Sequence, residues 1–555
     1  MLIIQNTSKK ILKKWKGSTH TQQVIFTTHC TELLNYYEDE FSLSIFYGFL
    51  DQDYSNHNPA QFISEQILAL GIDCLNQLFG SFILIHLNKK TQQYLIANDA
   101  LGDFAVHYYR HKNTIHLSDF PQALLNKNNL NLNNKRLLHY FAQSRPQNNG
   151  CFFIEISQLN PGHCLIIESD KIHIKRYYFP RLSFDYKTPS IDELSEQFKL
   201  LMQNVIKFQC KGHEKIGIMM SGGLDSTFVA ANALKANKQV NTYSYVFPNI
   251  PEANESTWID SMRNCGFNMH TFVGEKYWPL KPPWHVSLNS PLNNPYRHLK
   301  TVIYQQAQSQ GIKTILTGVF ADHLYIGYIY WLVDQLKHNI FSASKSFIKV
   351  LKTKGIVTGL RQISPNKFTR KIKAYSPWMT PEAQREIEKL KINFVSNQHP
   401  HPQQFDLVYG LSTAQSAFLE NEYAFKHDMY TRHPFRDRRI VEFLMAMPAW
   451  VLGDIHNPKK FVRHTAKNLL PDNIIRRKKI TSLQPLFNIG VLTKELPKIK
   501  EILTDPYCQW QQYVKKDLII KLINNPNNNH KDSDLFALWQ SINFELWRSR
   551  LNDSF

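Results

Sequence analysis

The chain has no apolar run long enough to cross a bilayer. Lys9, Lys10, Lys13, Lys14 and Lys16 near its start are not followed by the hydrophobic segment of a secretory signal. A cytoplasmic protein is therefore expected. Cysteine is sparse: there are seven, an odd number, with no C-x-x-C pair, which argues against zinc and disulfide frameworks and suits a reducing compartment. Acids are in deficit, 45 against 65 Lys and Arg, for a formal charge of +20. The shortage is sharpest between Phe341 and Tyr375, where nine Lys and Arg meet no Asp or Glu. Such a block attracts an acidic peptide, an RNA or an anionic membrane surface, or is only a solvated helical face. There is no internal repeat, and 555 residues leave room for two or three domains.

What is present begins at Ser221-Gly222-Gly223-Leu224-Asp225-Ser226. This segment follows the apolar run Ile216 to Met220 and precedes the helix-like Thr227 to Leu234. A strand, a Gly-rich turn and a helix start present unpaired N–H groups with the helix dipole behind them, which is a seat for an anion such as pyrophosphate. The loop lacks the Lys of a Walker A site and the spacing of a dinucleotide fingerprint. Asp225 is placed to hold Mg²⁺ against phosphates. The wording resembles the pyrophosphate loop of the N-type ATP pyrophosphatases, which split ATP into AMP and pyrophosphate to adenylate a carboxylate or carbonyl oxygen.

Ile315 to Thr317, Gly318 and Val319-Phe320-Ala321-Asp322-His323 repeat the logic of strand, turn and acid-bearing helix. This segment is similar to S-G-x-G-x-D-E-L-F-G-G-Y of the asparagine synthetase family, whose Asp is a second Mg²⁺ ligand. The order continues with Arg432-His433-Pro434-Phe435-Arg436-Asp437, Lys459 to Arg463, and Leu470 to Ile474 followed by Arg477 and Lys479. These resemble R-x-P-F-L-D, K-x-x-L-R and L-P-x-x-I-x-x-R-x-K of the same family. The resemblance implies that Asp225 and Asp322 hold Mg²⁺, and that Glu255, standing where the family has D-E after its second strand, is a third candidate that touches Mg²⁺ or the ATP phosphates, with a solvated carboxylate at a helix start as the alternative. It further implies that Ser221, Gly222, Gly223, Leu224, Asp225, Ser226, Thr317 and Lys459 meet ATP, that the backbone near Met219, Val246 and Gly318 does so too, and that Lys479 stabilises charge on the adenylate and tetrahedral intermediate. Arg432 and Asp437 are expected to form structural ion pairing, and Arg438, Arg439 and Lys460 to be plain surface.

The first third carries strand patterns at Leu78 to His86, Tyr94 to Gly102 and Val106 to Tyr109, and Leu159-Asn160-Pro161-Gly162-His163 later. It resembles the class II glutamine amidotransferase domain that precedes the synthetase domain in asparagine synthetases. That domain uses an N-terminal Cys exposed after Met removal, whereas this sequence begins Met1-Leu2, so glutamine hydrolysis is not expected. The expected fold class is α/β: an Ntn-like α+β sandwich at 1–188, and a doubly wound parallel-sheet ATP pyrophosphatase domain with added helices at 189–555.

Departures from the family select among substrates. Val319 stands where asparagine synthetases place Glu, Tyr430 where G-[LV]-E-x-R would put Glu, and His323 replaces the Glu of the D-E pair. Ammonium needs a base, while an α-amine of pKa roughly 7.7–8.0 attacks with little help. The combination resembles the lasso peptide cyclases, in which a precursor's Asp or Glu side chain is adenylated and captured by the peptide's own α-amine. The expected activity is thus an AMP-forming C–N ligase acting on a precursor peptide, with a leader peptidase as a candidate partner protein. Catalytic roles fall to Lys479, Asp322 and His323, the last as weak base or as an orienter of Asp322. An asparagine synthetase using aspartate and ammonia is the alternative, and a tRNA-modifying ATP pyrophosphatase or a relic scaffold a remoter one. The upstream amidotransferase-like region weighs against a nucleic-acid substrate.

Overall fold

A computed structural model describes residues 2–6, 11–15, 23–28, 30–54, 58–126, 130–144, 150–168, 171–180, 190–236, 238–284, 286–363, 375–390, 401–478 and 481–554. The domain boundary expected at 188 lies outside the described residues.

Alternation is the pattern that organises the first region. Along Ser42–Leu50, the residues Leu43, Ile45 and Tyr47 face one way and Phe46 the other; along Gly80–Asn88, Ile83 and Ile85 oppose Phe82 and Leu84. Two six-stranded sheets bury the first set between them. One sheet runs Ser157–Gln158, His107–His111, Thr114–Ser118, Gln23–Thr28, Leu2–Asn6, Ile11–Trp15. The other runs Lys171–Arg176, His163–Glu168, Gln93–Asn98, Gly80–Asn88, Ser42–Leu50, Leu34–Glu38.

The second region begins with a firm helix start. Ser190 and Glu193 cap each other's backbone N–H groups and open helix Ile191–Gln209. Five parallel strands follow, in the spatial order Asn268–Val273, Gln239–Val246, Lys215–Met219, Thr314–Thr317, Tyr430–Arg432. Ile216 and Ile218 pack on one face with Phe198 and Phe228, while Ile315 and Tyr243 pack on the other with Ile303 and Tyr304. Helices therefore cover both faces, as the near-continuous apolar strands of a doubly wound sheet require.

This strand order has one consequence for function. The first strand, Lys215–Met219, has its sequence successor on one side and Thr314–Thr317 on the other. The crevice where the order reverses lies at the carboxyl ends of these two neighbours, where open α/β sheets bind ligands.

A seam of charged groups joins the two regions. Arg432 is buried against Asp51 and lies 4.1 Å over the Phe49 ring. Arg436 donates to Asp103 at 2.6 Å and to the Leu101 carbonyl at 2.7 Å. Arg432 and Asp437 do take part in ion pairs, but not with each other: Asp437 is held bidentately by Arg439. Arg438 and Arg439 are not plain surface either. Arg438 donates to Glu442 and to the Asn76 carbonyl, and lies over the Tyr178 ring. The reason is that the Arg432–Arg439 stretch packs into the seam, where its guanidinium groups meet acids, carbonyls and aromatic faces from the first region. Lys460 is exposed, as expected.

Candidate active site

The Gly-rich loop closes on itself before it meets any ligand. Ser226 Oγ accepts from the Ser221 N–H at 3.1 Å, and Ser221 Oγ accepts from the Gly223 N–H at 3.1 Å. Helix Leu224–Lys235 then starts at Gly223 with no side-chain cap, leaving its first turn to an anion. Gly318, at the end of Thr314–Thr317, is packed on this turn so closely that a Cβ there would lie 2.5 Å from the Ser226 nitrogen. Only glycine allows that approach. At Gly222 a Cβ would lie 2.6 Å from Trp258 Cβ.

The two strand ends bring the two acids together. Lys459 Nζ lies 2.6 Å from Asp225 Oδ2 and 2.6 Å from Asp322 Oδ1. Burial pushes the Asp225 carboxyl up to about 6, against the pull of Lys459 and with the help of Asp322. Burial lowers the Lys459 ammonium, but the two carboxylates outweigh it and hold the group above its ordinary value. Asp225 Oδ1 is buried and has no hydrogen-bond partner among the described residues. Two carboxylates converging on one cation, with a further buried oxygen unspent, are a hard-oxygen donor set of the kind Mg²⁺ prefers.

Glu255 is placed elsewhere. Its carboxylate accepts from the Gly222 N–H at 3.0 Å, from Arg477 at 2.5 Å and from Thr481 at 2.6 Å. It is not among the groups that meet Lys459. A carboxylate therefore sits on the loop N–H where a phosphate oxygen would be expected, just as an ammonium sits between the two acids where a metal ion would be expected.

Two cavities meet at this loop. One, of about 520 Å³, is lined by Met219, Ser221, Gly223, Asp225, Ser226, Thr317, Gly318 and Val319, with an aromatic wall from Tyr243, Tyr245, Phe247 and Tyr296. The other, of about 1190 Å³, holds Leu224, Glu255, Asp322 and Lys459 among Lys460, Arg463, Lys467, Arg476, Arg477 and Lys478. The pair offers an apolar, aromatic chamber next to a cationic one, which is the division a nucleoside and its polyphosphate need.

The remaining expected residues are placed as follows. Thr317 is buried and its hydroxyl meets His433 Nδ1 at 2.7 Å. Val246 lies between two residues of the chamber wall: Tyr245 and Phe247 face the chamber while the Val246 side chain turns toward the core, so a contact with the nucleotide there is one of backbone, as expected from the sequence. The His323 ring meets Phe320 edge-on at 5.6 Å. Lys479 lies outside the described residues. Tyr430 lines neither of these two cavities. It opens its strand, opposite Thr314 rather than Thr317, and faces the first region, donating to Glu32 and packing on Phe49. An acid lost at 430 is thus lost from the seam, not from the ATP-site wall.

Sequence reasoning passed over several groups. Tyr243, Tyr245 and Phe247 were legible as one face of a strand by their i, i+2, i+4 spacing. Lys300 on the chamber wall, ion-paired to the buried Glu420, and the Arg477–Glu255–Thr481 cluster carried no local signal.

The asparagine synthase family pattern matches residues 197–549, and a glutamine amidotransferase domain pattern matches residues 50–178. The chain is 19% identical over 518 residues to "Asparagine synthetase [glutamine-hydrolyzing] 1" of Bacillus subtilis (strain 168), spanning 85% of this chain and 79% of that one. It is 28% identical over 166 residues to "Putative asparagine synthetase [glutamine-hydrolyzing] 2" of Methanocaldococcus jannaschii, covering 29% of this chain and 32% of that one. A solved glutamine-dependent NAD+ synthetase from Acinetobacter baumannii, bound to ADP, aligns over 70% of this chain and 90% of its own at 12% identity, with a TM-score of 0.20, too low to bear on the site. The family match spans more than half of the chain and contains both strand-end carboxylates and the Gly-rich loop; the protein belongs to the asparagine synthase family and is an ATP-dependent enzyme of the ligase type.

Proposed function

We propose that this enzyme adenylates a side-chain carboxylate of a precursor peptide and closes a macrolactam with the peptide's own α-amine, as lasso peptide cyclases do. The observation that carries the reading is the acceptor wall. Val319, next to Gly318, presents an apolar side chain that is 42% exposed and lines the 520 Å³ chamber. The acids lining that chamber are Asp225 and Glu255, both at the phosphate loop. A nucleophile with an appreciable free-base fraction at neutral pH suits a wall that, among the described residues, offers no acid away from the phosphate loop, and an α-amine is one.

In this reading the chamber takes the adenosine and the cationic cavity the polyphosphate. Asp225 and Asp322 hold Mg²⁺, which supplies charge neutralisation on the phosphates. Lys459 leaves the two carboxylates for the leaving pyrophosphate, and Glu255 gives up the Gly222 N–H to a phosphate oxygen. Lys479 stabilises the charge that builds on the acyl centre, and His323 supports the Asp322 segment. Ring closure is mainly a matter of proximity, the peptide being held with amine and acyl carbon adjacent. A leader peptidase delivers the processed precursor.

An asparagine synthetase acting on aspartate and ammonia is the second reading, favoured by the alignment to the Bacillus subtilis relative along most of the chain. One experiment separates the two. AMP and pyrophosphate release from Mg·ATP is measured with a peptide bearing an N-terminal Gly and an internal Asp or Glu, and in parallel with aspartate plus ammonium. Release only with peptide, with a product lighter by one water, is the expected result. Release with aspartate and ammonium alone overturns macrolactam formation in favour of the second reading.

A further inference from the structure

Eight of the nineteen large apolar side chains that stand exposed among the described residues fall within 336–363. The segment lies in three consecutive helices, Trp331–His338, Ile340–Lys354 and Ile356–Ile363, which follow the short helices Ala321–Tyr325 and Ile326–Tyr330 after the Gly318 turn. Its inner face is well anchored. Ala343, Phe347 and Val350 pack with Trp331, Leu332 and Ala449, Trp331 Nε1 donates to Gln362 at 2.7 Å, and Asp334 accepts from His401 and from the Ala449 N–H. The outer face, by contrast, is apolar and basic at once. Phe341, 81% exposed, and Ile348 share a stripe with Lys345 and Lys352, since i, i+4, i+7 and i+11 fall on one side of a helix. On the next helix Ile356, Val357, Leu360 and Ile363 repeat the exposed apolar face beside Arg361.

We propose that these helices dock the enzyme on an anionic lipid surface. The mixture decides between occupants. Protein–protein interface cores exclude lysine and gather aromatic residues, Met and Arg, whereas here four lysines lie between and around the apolar side chains and Phe341 is the one aromatic among the eight. A lipid–water interface accommodates both: apolar side chains enter the acyl boundary while lysine stems lie along it and carry their ammonium groups to the phosphates. The charge is complementary, because residues 341–375 hold nine cations and no acid. A nucleic acid would pair with the cations but leave the aliphatic row in water. Docking of this kind lays the helices on the surface; no helix among the described residues is long and apolar enough to cross a membrane.

The test is co-sedimentation of the full chain with vesicles of phosphatidylethanolamine and phosphatidylglycerol, against vesicles of phosphatidylcholine, at low and high salt. Binding to the anionic vesicles is expected, weakened by salt and by their replacement with phosphatidylcholine. The fourfold variant Phe341→Ser, Ile348→Ser, Ile356→Ser and Val357→Ser should lower the partition coefficient by about tenfold or more, since each loses buried apolar area. The threefold variant Lys345→Ser, Lys349→Ser and Lys352→Ser should remove the preference for phosphatidylglycerol. Stabilisation by Mg·ATP should be unchanged in both, because neither touches the loop. Parent protein that stays in the supernatant overturns the proposal, as does an apolar variant that binds like the parent, which would mean electrostatic adsorption alone. A segment that captures an acidic protein while ignoring vesicles also overturns it, in favour of a protein partner.

Discussion

Among the places where this molecule buries charged groups, two handle them differently. In the seam, Arg432 with Asp51 and Arg436 with Asp103 and the Leu101 carbonyl form contacts that are closed within the protein and flanked by aromatic rings. At the carboxyl ends of the parallel sheet, Lys459 bridges Asp225 and Asp322 while Asp225 Oδ1 has no partner among the described residues, and Glu255 accepts from a loop N–H. The first arrangement is complete within the described residues; the second keeps an oxygen unspent. A buried charge is therefore informative less by its presence than by whether the chain alone completes its hydrogen bonds.

The strongest way to break that contrast is Asp225→Asn. Because the side chain keeps its shape but cannot hold a cation tightly, ATP-dependent AMP formation should fall by about 10²–10³-fold or more, with the thermal unfolding temperature close to the parent's. An active Asp225→Asn enzyme would place the metal elsewhere. Next comes Arg432→Met. It leaves Asp51 buried beside an apolar chain and should cost about 3–5 kcal/mol in denaturant unfolding. The double variant with Asp51→Leu should recover most of that loss, and Mg²⁺ should recover none. A single variant as stable as the parent would mean that the seam pair is replaceable by water.

Lys459→Met sharpens the comparison further, since it removes the ammonium from between two carboxylates. Its cost should be smaller, about 1–3 kcal/mol, because Asp322 remains largely solvated. Here Mg²⁺ should restore stability, and more so than in the parent, as the cation takes the vacated place. Equal responses to Mg²⁺ in Lys459→Met and Arg432→Met would erase the distinction between a closed pair and an open one.

How much of this was readable beforehand follows from what sequence encodes. The loop, its strand and its helix are local, so Ser221 to Ser226 and the Asp322 turn were legible as matching halves of one site, and their convergence followed from parallel strands. The α/β class was legible for the same reason. What escaped was long-range. Nothing near Arg432 points to Asp51, 381 positions away, and a motif read in one line made Asp437 its natural partner. Tyr430 was misjudged because a position in a motif names a residue's neighbours in sequence and not the end of the strand on which it sits. The aromatic chamber wall could have been found from the alternation of Tyr243, Tyr245 and Phe247. The Arg477–Glu255–Thr481 cluster could not, since it assembles from segments more than two hundred residues apart.

The smallest expected effect is also the most discriminating, because each region holds a carboxyl that burial raises. Burial raises Asp51 to about 6, and likewise Asp225, in each case against a neighbouring cation. A carboxyl raised above its unfolded value adds stability that is fully present at low pH and is lost as pH rises through about 6. Both groups should therefore make the free protein slightly more resistant on moderate acidification, within the opposing effect of buried histidines such as His86 and His107, held near 4 by burial. Ligand binding should run the other way. Below about pH 6 a proton competes with the cation at Asp225, so the affinity for Mg·ATP should fall by about tenfold per pH unit. Asp51→Asn should leave that pH dependence in place, and Asp225→Asn should flatten it together with the affinity, as followed by thermal shift with Mg·ATP between pH 5 and pH 8, a window of about three units centred near the raised carboxyls. A slope that survives Asp225→Asn would assign the titrating group to another residue, and one that vanishes with Asp51→Asn would mean that the seam and the ATP site are coupled rather than separate.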